Sequence, residues 1–594
     1  MASDFTSLGL DPALCAAVQA AFSIEKPSDI QEKVITTALG LETPRDILIR
    51  SRTGSGKTLA FLLPILHRLL LEHRQSGRTR EAARMMGTQL LVVVPTRELA
   101  AQSHQTLERL LAKLHGADHW LVSGTLSGGD RRKSEKERLR KGVHIVVGTP
   151  GRLVDHLNNT ERWAKQISAC RWVVFDEADR LLDSGFEKFV KEILGALGKG
   201  RIDRLQVCLC SATVDGKRQD LFGYKLTDPL LVSEGPLRLK AADTKTLITN
   251  DFNTQLEHFY IVSPTKMRLA ALLGFLEESF SNATPQKIVL FTICCDTVDF
   301  ISLLFNDPTF KMLPKDVNKF KLHGSLEHKT RIETFNAFTK ETRNCLLVCT
   351  DVAARGLNLS HVSCIVQYDA PCDMNDYIHR AGRTARQEET GKSVLFLMPS
   401  ERDYIPELEK KNLKLKKLRW EPLVERVATK VDIKSAEKVT VEETIPEEDL
   451  TTVNLDTRKR IFAWLEQLQG KIKTKGQLFS LAKSAYLSFI RAYATHPTVE
   501  KSIFHIKKLH LGHIAATFLL DEAPKAVAAN RGKEVPEGKP KRDEKDFKGG
   551  KGGKGSKGDK GGNSKGPFKP KRVISEFDAG DIDAVFTRKL KRPK

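Results

Sequence analysis

The sequence predicts an α/β protein built as two tandem parallel-sheet domains, followed by a helical extension and a basic tail. Three observations carry this. Short, continuously apolar runs recur ahead of turn residues, among them Val173-Val174-Phe175 and Ile288-Val289-Leu290-Phe291. Runs that do not alternate belong to strands buried on both faces. Helix-like stretches lie between them, as βαβ units require. The chain also has 594 residues, more than one core fills. The pattern divides it into a first domain over 1–231, a polar linker over 232–254, a second domain over 255–400, a mainly helical extension over 401–523 and a Lys/Gly-rich tail over 524–594.

The net charge is +22 and the pI about 9.4, which favours a polyanionic partner, nucleic acid first and an anionic membrane surface second. Ten cysteines are scattered without a C-x-x-C pair or zinc spacing. Cys294-Cys295 and Cys208/Cys210 fall in apolar runs and read as buried free thiols of a reducing compartment. Met1-Ala2-Ser3-Asp4 has neither the cationic start nor the apolar core of a secretory signal. The most apolar stretch, Leu59 to Leu71, is broken by Pro64, His67 and Arg68 and is too short to span a bilayer. A soluble intracellular protein with no membrane partner is expected.

In the first domain, the strand candidate Asp46–Arg50 runs into Ser51-Arg52-Thr53-Gly54-Ser55-Gly56-Lys57-Thr58 and then the helix-like Leu59–Leu63. Strand, Gly-rich turn and helix are the context of a phosphate loop. Thr53, Gly54, Ser55 and Gly56 offer converging backbone N–H groups, Lys57 adds a point charge, and Thr58 can ligate Mg²⁺. Ser51 stands where the general pattern has its first glycine. Downstream, Asp176-Glu177-Ala178-Asp179 follows the strand Arg171–Phe175. Acids there can cap a helix. Behind a phosphate loop they read better as a nucleotide site, Asp176 holding Mg²⁺ through water and Glu177 orienting the attacking water.

With these residues in place the chain resembles the DEAD-box RNA helicases over roughly residues 5–400. Gln31, after Pro27-Ser28-Asp29-Ile30, is similar to the family's adenine-reading glutamine, and Phe5 lies at the position of its upstream aromatic; Ile24 stands where phenylalanine is usual. The resemblance implies RNA-backbone contacts from Pro95-Thr96-Arg97, Gly129 in the Gly128-Gly129 pair, and Thr149, Gly151 and Arg152 in Thr149-Pro150-Gly151-Arg152. Helix N-termini, hydroxyls and arginines in such turns bind phosphates without reading sequence. Ser211-Ala212-Thr213, after a strand-like Val207–Cys210, would couple hydrolysis to unwinding.

The second domain has buried strands at Ile288–Phe291 and Cys345–Cys349 but no second phosphate loop, so it would complete a site built on the first. His379-Arg380-Ala381-Gly382-Arg383-Thr384-Ala385-Arg386 resembles the family's arginine-finger motif, with Ala381 in place of a larger aliphatic. That match implies Arg383 and Arg386 at the γ-phosphate and His379 linking to the first domain. Thr350 and Arg331 match RNA-binding positions, although His328 replaces a common glutamine. Asn358 replaces the aspartate that contacts the ATP ribose in the family. Losing that charge-assisted bond should weaken ATP binding without abolishing it, and Asn358→Asp should tighten it.

The stretches 401–430 and 431–450 do not read as catalytic. Residues 452–520 turn helix-like and resemble the C-terminal extension of nucleolar family members that assemble the large ribosomal subunit, implying a nuclear, nucleolar protein with pre-rRNA and pre-ribosomal proteins as partners and a monomer outside the particle. His505, His510 and His513 lack cysteine or carboxylate partners at metal spacing and read as helix-face or core histidines. The tail holds too little apolar surface to fold alone and suits a polycation on RNA phosphates or a targeting segment. Within it, 573–587 is apolar and acidic and reads as a docking peptide. The best reading is an ATP-dependent RNA helicase with two RecA-like domains and ATP and Mg²⁺ as cofactors. An ATP-gated RNA clamp is the alternative, with a DNA helicase behind it.

Overall fold

The computed structural model describes residues 4–51, 54–115, 120–128, 132–181, 185–198, 205–211, 220–221, 224–226, 229–234, 255–351, 359, 361–385, 390–431, 453–497 and 500–521. Arg52, Thr53, Gly129, Ala212, Thr213, Asn358, Arg386 and the tail lie outside these residues.

The first sheet comprises β1 (Ile47–Arg50), β2 (Leu90–Val93), β3 (Ser123–Leu126), β4 (Ile145–Gly148), β5 (Trp172–Asp176), β6 (Gln206–Ser211) and β9 (Leu230–Ser233). A two-strand ribbon, β7 (Asp220–Leu221) and β8 (Tyr224–Lys225), intervenes. The sheet order is β3-β4-β2-β5-β6-β1-β9, and every neighbouring pair is parallel. Parallel strands need crossovers, and the helices that supply them cover both faces. The continuous apolar runs follow from that. Val174 of β5 packs with Leu90, Val92, Ile145 and Val147 on one face, while Val173 and Phe175 pack with Leu91, Val93 and Val146 on the other. The interrupted apolar stretch is the helix Lys57–Ser76, whose residues Leu59 to Leu66 are all buried in this core. Among the described residues no helix is long and apolar enough to cross a membrane.

The second sheet comprises β10 (Leu256–Val262), β11 (Lys287–Phe291), β12 (Asn318–Leu322), β13 (Cys345–Cys349), β14 (Cys364–Gln367), β15 (Gly391–Leu397) and β16 (Leu415–Lys417). Its order is β12-β13-β11-β14-β15-β10-β16, again all parallel. β9 draws residues 232–233 into the first sheet, and β16 draws part of the stretch after 400 into the second. The structure thus has the doubly wound, two-domain architecture expected, with a helical extension behind it.

The extension packs on the second domain. Its helix Leu455–Lys473 starts at Asn454, whose side chain accepts from the Thr457 N–H at 2.7 Å. The helix Gly476–Tyr493 lies against the helix Cys295–Asn306, where Ser484 and Ser488 donate to Asp296 at 2.7 and 2.5 Å. Phe518 meets Phe300, Phe489 and Tyr486 with ring centroids 5.7, 5.8 and 6.3 Å apart. A buried aromatic ring stabilises by roughly 1.5–3 kcal/mol, so this cluster anchors the extension. His505 and His510 start short helical turns, their rings accepting from the N–H groups of Lys507 and His513, so they act as caps and not as core side chains.

All ten cysteines are free. Cys208 and Cys210 are buried as expected. Cys294 and Cys295 are only half-buried, because the strand β11 ends at Phe291 and the pair forms the start of a helix.

Candidate active site

The carboxyl edge of the first sheet carries the candidate residues in two groups. β5, β6 and β1 are neighbours, with Asp176 paired to Cys210 and Ser211 to Arg50. Strands lie about 4.8 Å apart, so Asp176 and the loop after β1 are separated by about two strand spacings. β3, β4 and β2 form the other half, with Leu126 paired to Gly148 and Gly148 to Val93. The turns expected to meet RNA all leave this second half.

In the phosphate loop, Gly54 and Gly56 have φ of +85° and +91°. A Cβ on Gly56 would lie 2.4 Å from Gln31 Nε2, so both backbone angle and space demand glycine there. Gln31 is buried at the start of the helix Asp29–Leu39. Its Oε1 accepts from the Ser28 N–H at 3.0 Å and its Nε2 donates to the Gly56 carbonyl at 3.2 Å. One donor and one acceptor position of the amide remain for a base edge. Ser28 Oγ donates to the Ser55 carbonyl at 2.9 Å, tying the same segment to the loop. Lys57 opens the helix Lys57–Ser76 and donates to the Ser51 carbonyl at 2.8 Å, with Thr58 half-buried beside it. Ser51 Oγ hydrogen-bonds to Ser55 and Glu234, which explains a hydroxyl where the general pattern has glycine. Phe5 is buried in the first domain's hydrophobic core, and Ile24 is half-buried against that core.

Asp176 is 4% exposed, and its Oδ1 accepts from the Glu177 N–H at 3.0 Å. Burial pushes its carboxyl up to about 6, with Lys57 opposing and Glu177 and Asp179 reinforcing the rise. Glu177 has φ of +51°, a left-handed backbone that costs a non-glycine residue roughly 1–3 kcal/mol. Its Oε2 is buried without a hydrogen-bond partner among the described residues. A strained, incompletely satisfied carboxylate at a sheet edge is poised for a ligand.

The second domain closes on these acids. His379 Nε2 lies 2.8 Å from Asp179 Oδ2, Arg180 donates to Asp376 at 2.6 Å, and Arg383 Nη2 lies 3.7 Å from Glu177 Oε1. His379, Asp376 and Arg383 are all buried, on or just after the helix Met374–Ala381 that Asp373 caps. Arg380 grips both oxygens of Asp351 at 2.6 Å and donates to the Asp369 carbonyl at 2.7 Å. Thr350, one residue earlier, is buried with a hydroxyl that has no partner among the described residues.

On the other half of the edge, Thr96 caps the helix Arg97–Leu111, and Arg97 lies beside Gly128. Thr149 starts the helix Pro150–Asn159 without a side-chain cap bond, and Gly151 in its first turn is exposed. Arg152 points inward to the buried Glu135 at 2.6 Å, which also meets His156 at 2.9 Å. Arg331 reaches across to Glu98 of the first domain at 2.7 Å. Sequence reasoning missed Arg180, Asp376, Glu98 and Glu135. Arg180 directly follows the acid motif, the one signal available for it; the others depend on contacts between distant segments.

Comparison with known proteins accords with this arrangement. Residues 28–221 match the DEAD/DEAH box helicase family, 267–388 the helicase conserved C-terminal domain, and 475–526 the ATP-dependent rRNA helicase SPB4-like C-terminal extension. The DEAD-box ATP-dependent RNA helicase 17 of Oryza sativa subsp. japonica is 34% identical over 91% of this chain and 94% of its own length. The ATP-dependent RNA helicase dbp7 of Schizosaccharomyces pombe is 36% identical over 90% of this chain and 76% of its own. The ATP-dependent DNA helicase DDX31 of Homo sapiens is 36% identical over 88% of this chain, which spans 62% of that relative's length. Among solved structures, the DEAD-box helicase Mss116 bound to ssRNA and UDP-BeF shares the fold with a TM-score of 0.68, at 24% identity over 88% of this chain and 92% of its own. With both domains matched in order and relatives aligned over nearly the whole length, the chain belongs to the DEAD/DEAH box helicase family.

Proposed function

We propose that this helicase hydrolyses ATP to separate or remodel short RNA duplexes, gripping the RNA backbone without reading sequence, and that it works on ribosomal RNA during assembly of the large subunit. The observation that supports this most is the set of buried contacts between the domains. Asp179–His379, Arg180–Asp376 and Glu177–Arg383 join the nucleotide half of the edge, while Glu98–Arg331 joins the half whose turns face RNA. One closure therefore assembles both sites, and each ligand favours the state the other needs.

Within the closed site, Lys57 and the loop N–H groups hold the phosphates, Arg383 brings a second positive charge toward them, and Glu177 orients the water. An arginine supplied from a second body contributes roughly 10³–10⁵ in rate in such systems. Asp176 and Thr58 are hard oxygen donors that fit Mg²⁺, and the raised Asp176 carboxyl marks a buried acid that Lys57 alone does not compensate. Among the described residues no cluster of three or more His, Cys, Asp or Glu could cage a metal, which suits an ion held by one carboxylate and the substrate phosphates. Bound there, Mg²⁺ would neutralise charge building on the transferred phosphoryl group.

The extension match, to an rRNA helicase family, supports ribosomal RNA as the substrate and hence action in the nucleolus with pre-ribosomal proteins as partners. The human relative, named as a DNA helicase, raises DNA as the competing substrate. Strand separation by the full chain, with ATP, of matched RNA and DNA duplexes decides between them. The expected result is unwinding of the RNA duplex with little action on DNA; equal or preferred DNA unwinding would contradict the proposal.

A further inference from the structure

We propose that Glu234, which directly follows the paired part of β9, is a positioning residue for the phosphate loop. Its carboxylate anchors Ser55 through the Ser51 hydroxyl, so that nucleotide meets an ordered loop; this deepens the function proposed above and rests on its nucleotide site. In the parallel pairing of β1 with β9, Arg50 lies opposite Ser233. The next residues on the two strands, Ser51 and Glu234, leave the sheet edge side by side, and Ser51 Oγ donates to Glu234 Oε1. Ser51 Oγ also meets Ser55 Oγ. A hydroxyl has one proton and a carboxylate only accepts. With the Ser51 proton given to Glu234, the Ser55 hydroxyl must be the donor to Ser51. The result is a one-way chain, Ser55 to Ser51 to Glu234, that ends on a charge.

The composition of the loop makes such an anchor consequential. Gly54 and Gly56 flank Ser55 at positive φ, and glycine loses more conformational freedom on ordering than any other residue. An unanchored Gly-Ser-Gly turn would lose that freedom when nucleotide binds, whereas an anchored one has lost it on folding. Ser55 is held from two sides, because its carbonyl accepts from Ser28 Oγ at 2.9 Å while its hydroxyl enters the chain. Ser51 is 4% exposed, a setting in which a hydrogen bond to a charged group is strong. Its main chain is fixed as well: its N–H donates to the Ser211 carbonyl at 3.1 Å and its carbonyl accepts from Lys57 Nζ at 2.8 Å. Glu234 therefore fastens to a residue that already touches Lys57 and Ser211.

The same strand end reaches the base side of the site. The Ser233 carbonyl accepts from Lys33 Nζ at 3.3 Å, and Lys33 pairs with Asp29 at 2.9 Å on the helix that carries Gln31. The end of β9 thus touches both the phosphate loop and the helix expected to read adenine. Serine at position 51 is essential to the chain, since the glycine of the general pattern offers no hydroxyl to bridge Ser55 and Glu234.

The test titrates the full chain with a fluorescent ADP analogue in the absence of RNA and measures RNA-stimulated ATP turnover separately. Glu234→Ala should weaken analogue binding by about fivefold or more, because the chain then lacks its acceptor. KM for ATP should rise in step, while turnover at saturating ATP and RNA stays within about twofold. Glu234→Gln keeps an acceptor for Ser51 and removes a negative charge from beside the loop, so its affinity should match or exceed that of the unaltered chain. Ser51→Ala breaks the same chain, and the double variant with Glu234→Ala should bind within about twofold of either single one. Unchanged affinity in Glu234→Ala, a defect confined to saturated turnover, equal losses in Glu234→Gln and Glu234→Ala, or additive losses in the double variant would overturn the proposal. Failure of the unaltered chain to bind the analogue would instead remove the nucleotide site itself, and the proposal with it.

Discussion

Asp176 shows how the site trades stability for function. Its carboxyl titrates near 6 in the folded chain against an ordinary 3.8, so between those values the native state holds a proton that the unfolded chain has lost. Stability from this group is therefore greatest at low pH and declines as pH rises through about 6. Asp176→Asn removes the buried charge while keeping an acceptor for the Glu177 N–H. In the absence of nucleotide it should gain about 1–3 kcal/mol at pH 7, with the gain shrinking toward pH 4, while ATP turnover is lost. Denaturation of both proteins across that pH range checks the sign, and a destabilised Asp176→Asn would show that the carboxylate is compensated after all. Asp176 and Glu177 were legible in the sequence because acids followed a buried strand behind a phosphate loop. The strain at Glu177 was not, since φ is set by how the chain turns into the helix Ala178–Leu181.

Among the elements, strands were the most legible, because a sheet covered on both faces leaves no polar alternation to confuse with a helix. The half-buried Cys294-Cys295 shows where that rule stops: the apolar letters continue past the strand into a helix start. Contacts of the extension were illegible for a different reason, since its helices reveal amphipathic faces but not what they face. Tyr493 in the extension donates to Glu401 at 2.8 Å, and Glu401 is 2% exposed. Burial raises the Glu401 carboxyl, with Arg268 opposing. Arg268 in turn meets Asp369 at 3.2 Å, and the Asp369 carbonyl receives Arg380 of the finger helix. Tyr493→Phe leaves a buried carboxylate short of one donor and should cost about 1–3 kcal/mol. Urea unfolding of the full chain measures it, and a change below about 0.5 kcal/mol would show that the hydroxyl is not needed there.

At the scale of the whole molecule, the proposed function rests on contacts that join the two domains. Arg180 and Asp376 are separated by 196 residues, and His379 and Asp179 by 200, so no local pattern could pair them. The excess of basic residues in 524–594 adds a term that closure does not involve. Deleting this segment should flatten the dependence of RNA affinity on salt while leaving ATP turnover at saturating RNA unchanged. Titrations at several salt concentrations would show it, and an unaltered slope would mean the tail does not touch RNA. The central claim, that the second domain completes an ATP site built on the first, is tested most directly by RNA-stimulated ATP turnover of Arg383→Ala in the full chain. Turnover should fall by about 10³ or more while nucleotide affinity stays within a few fold. Turnover within tenfold of the unaltered chain would contradict the claim.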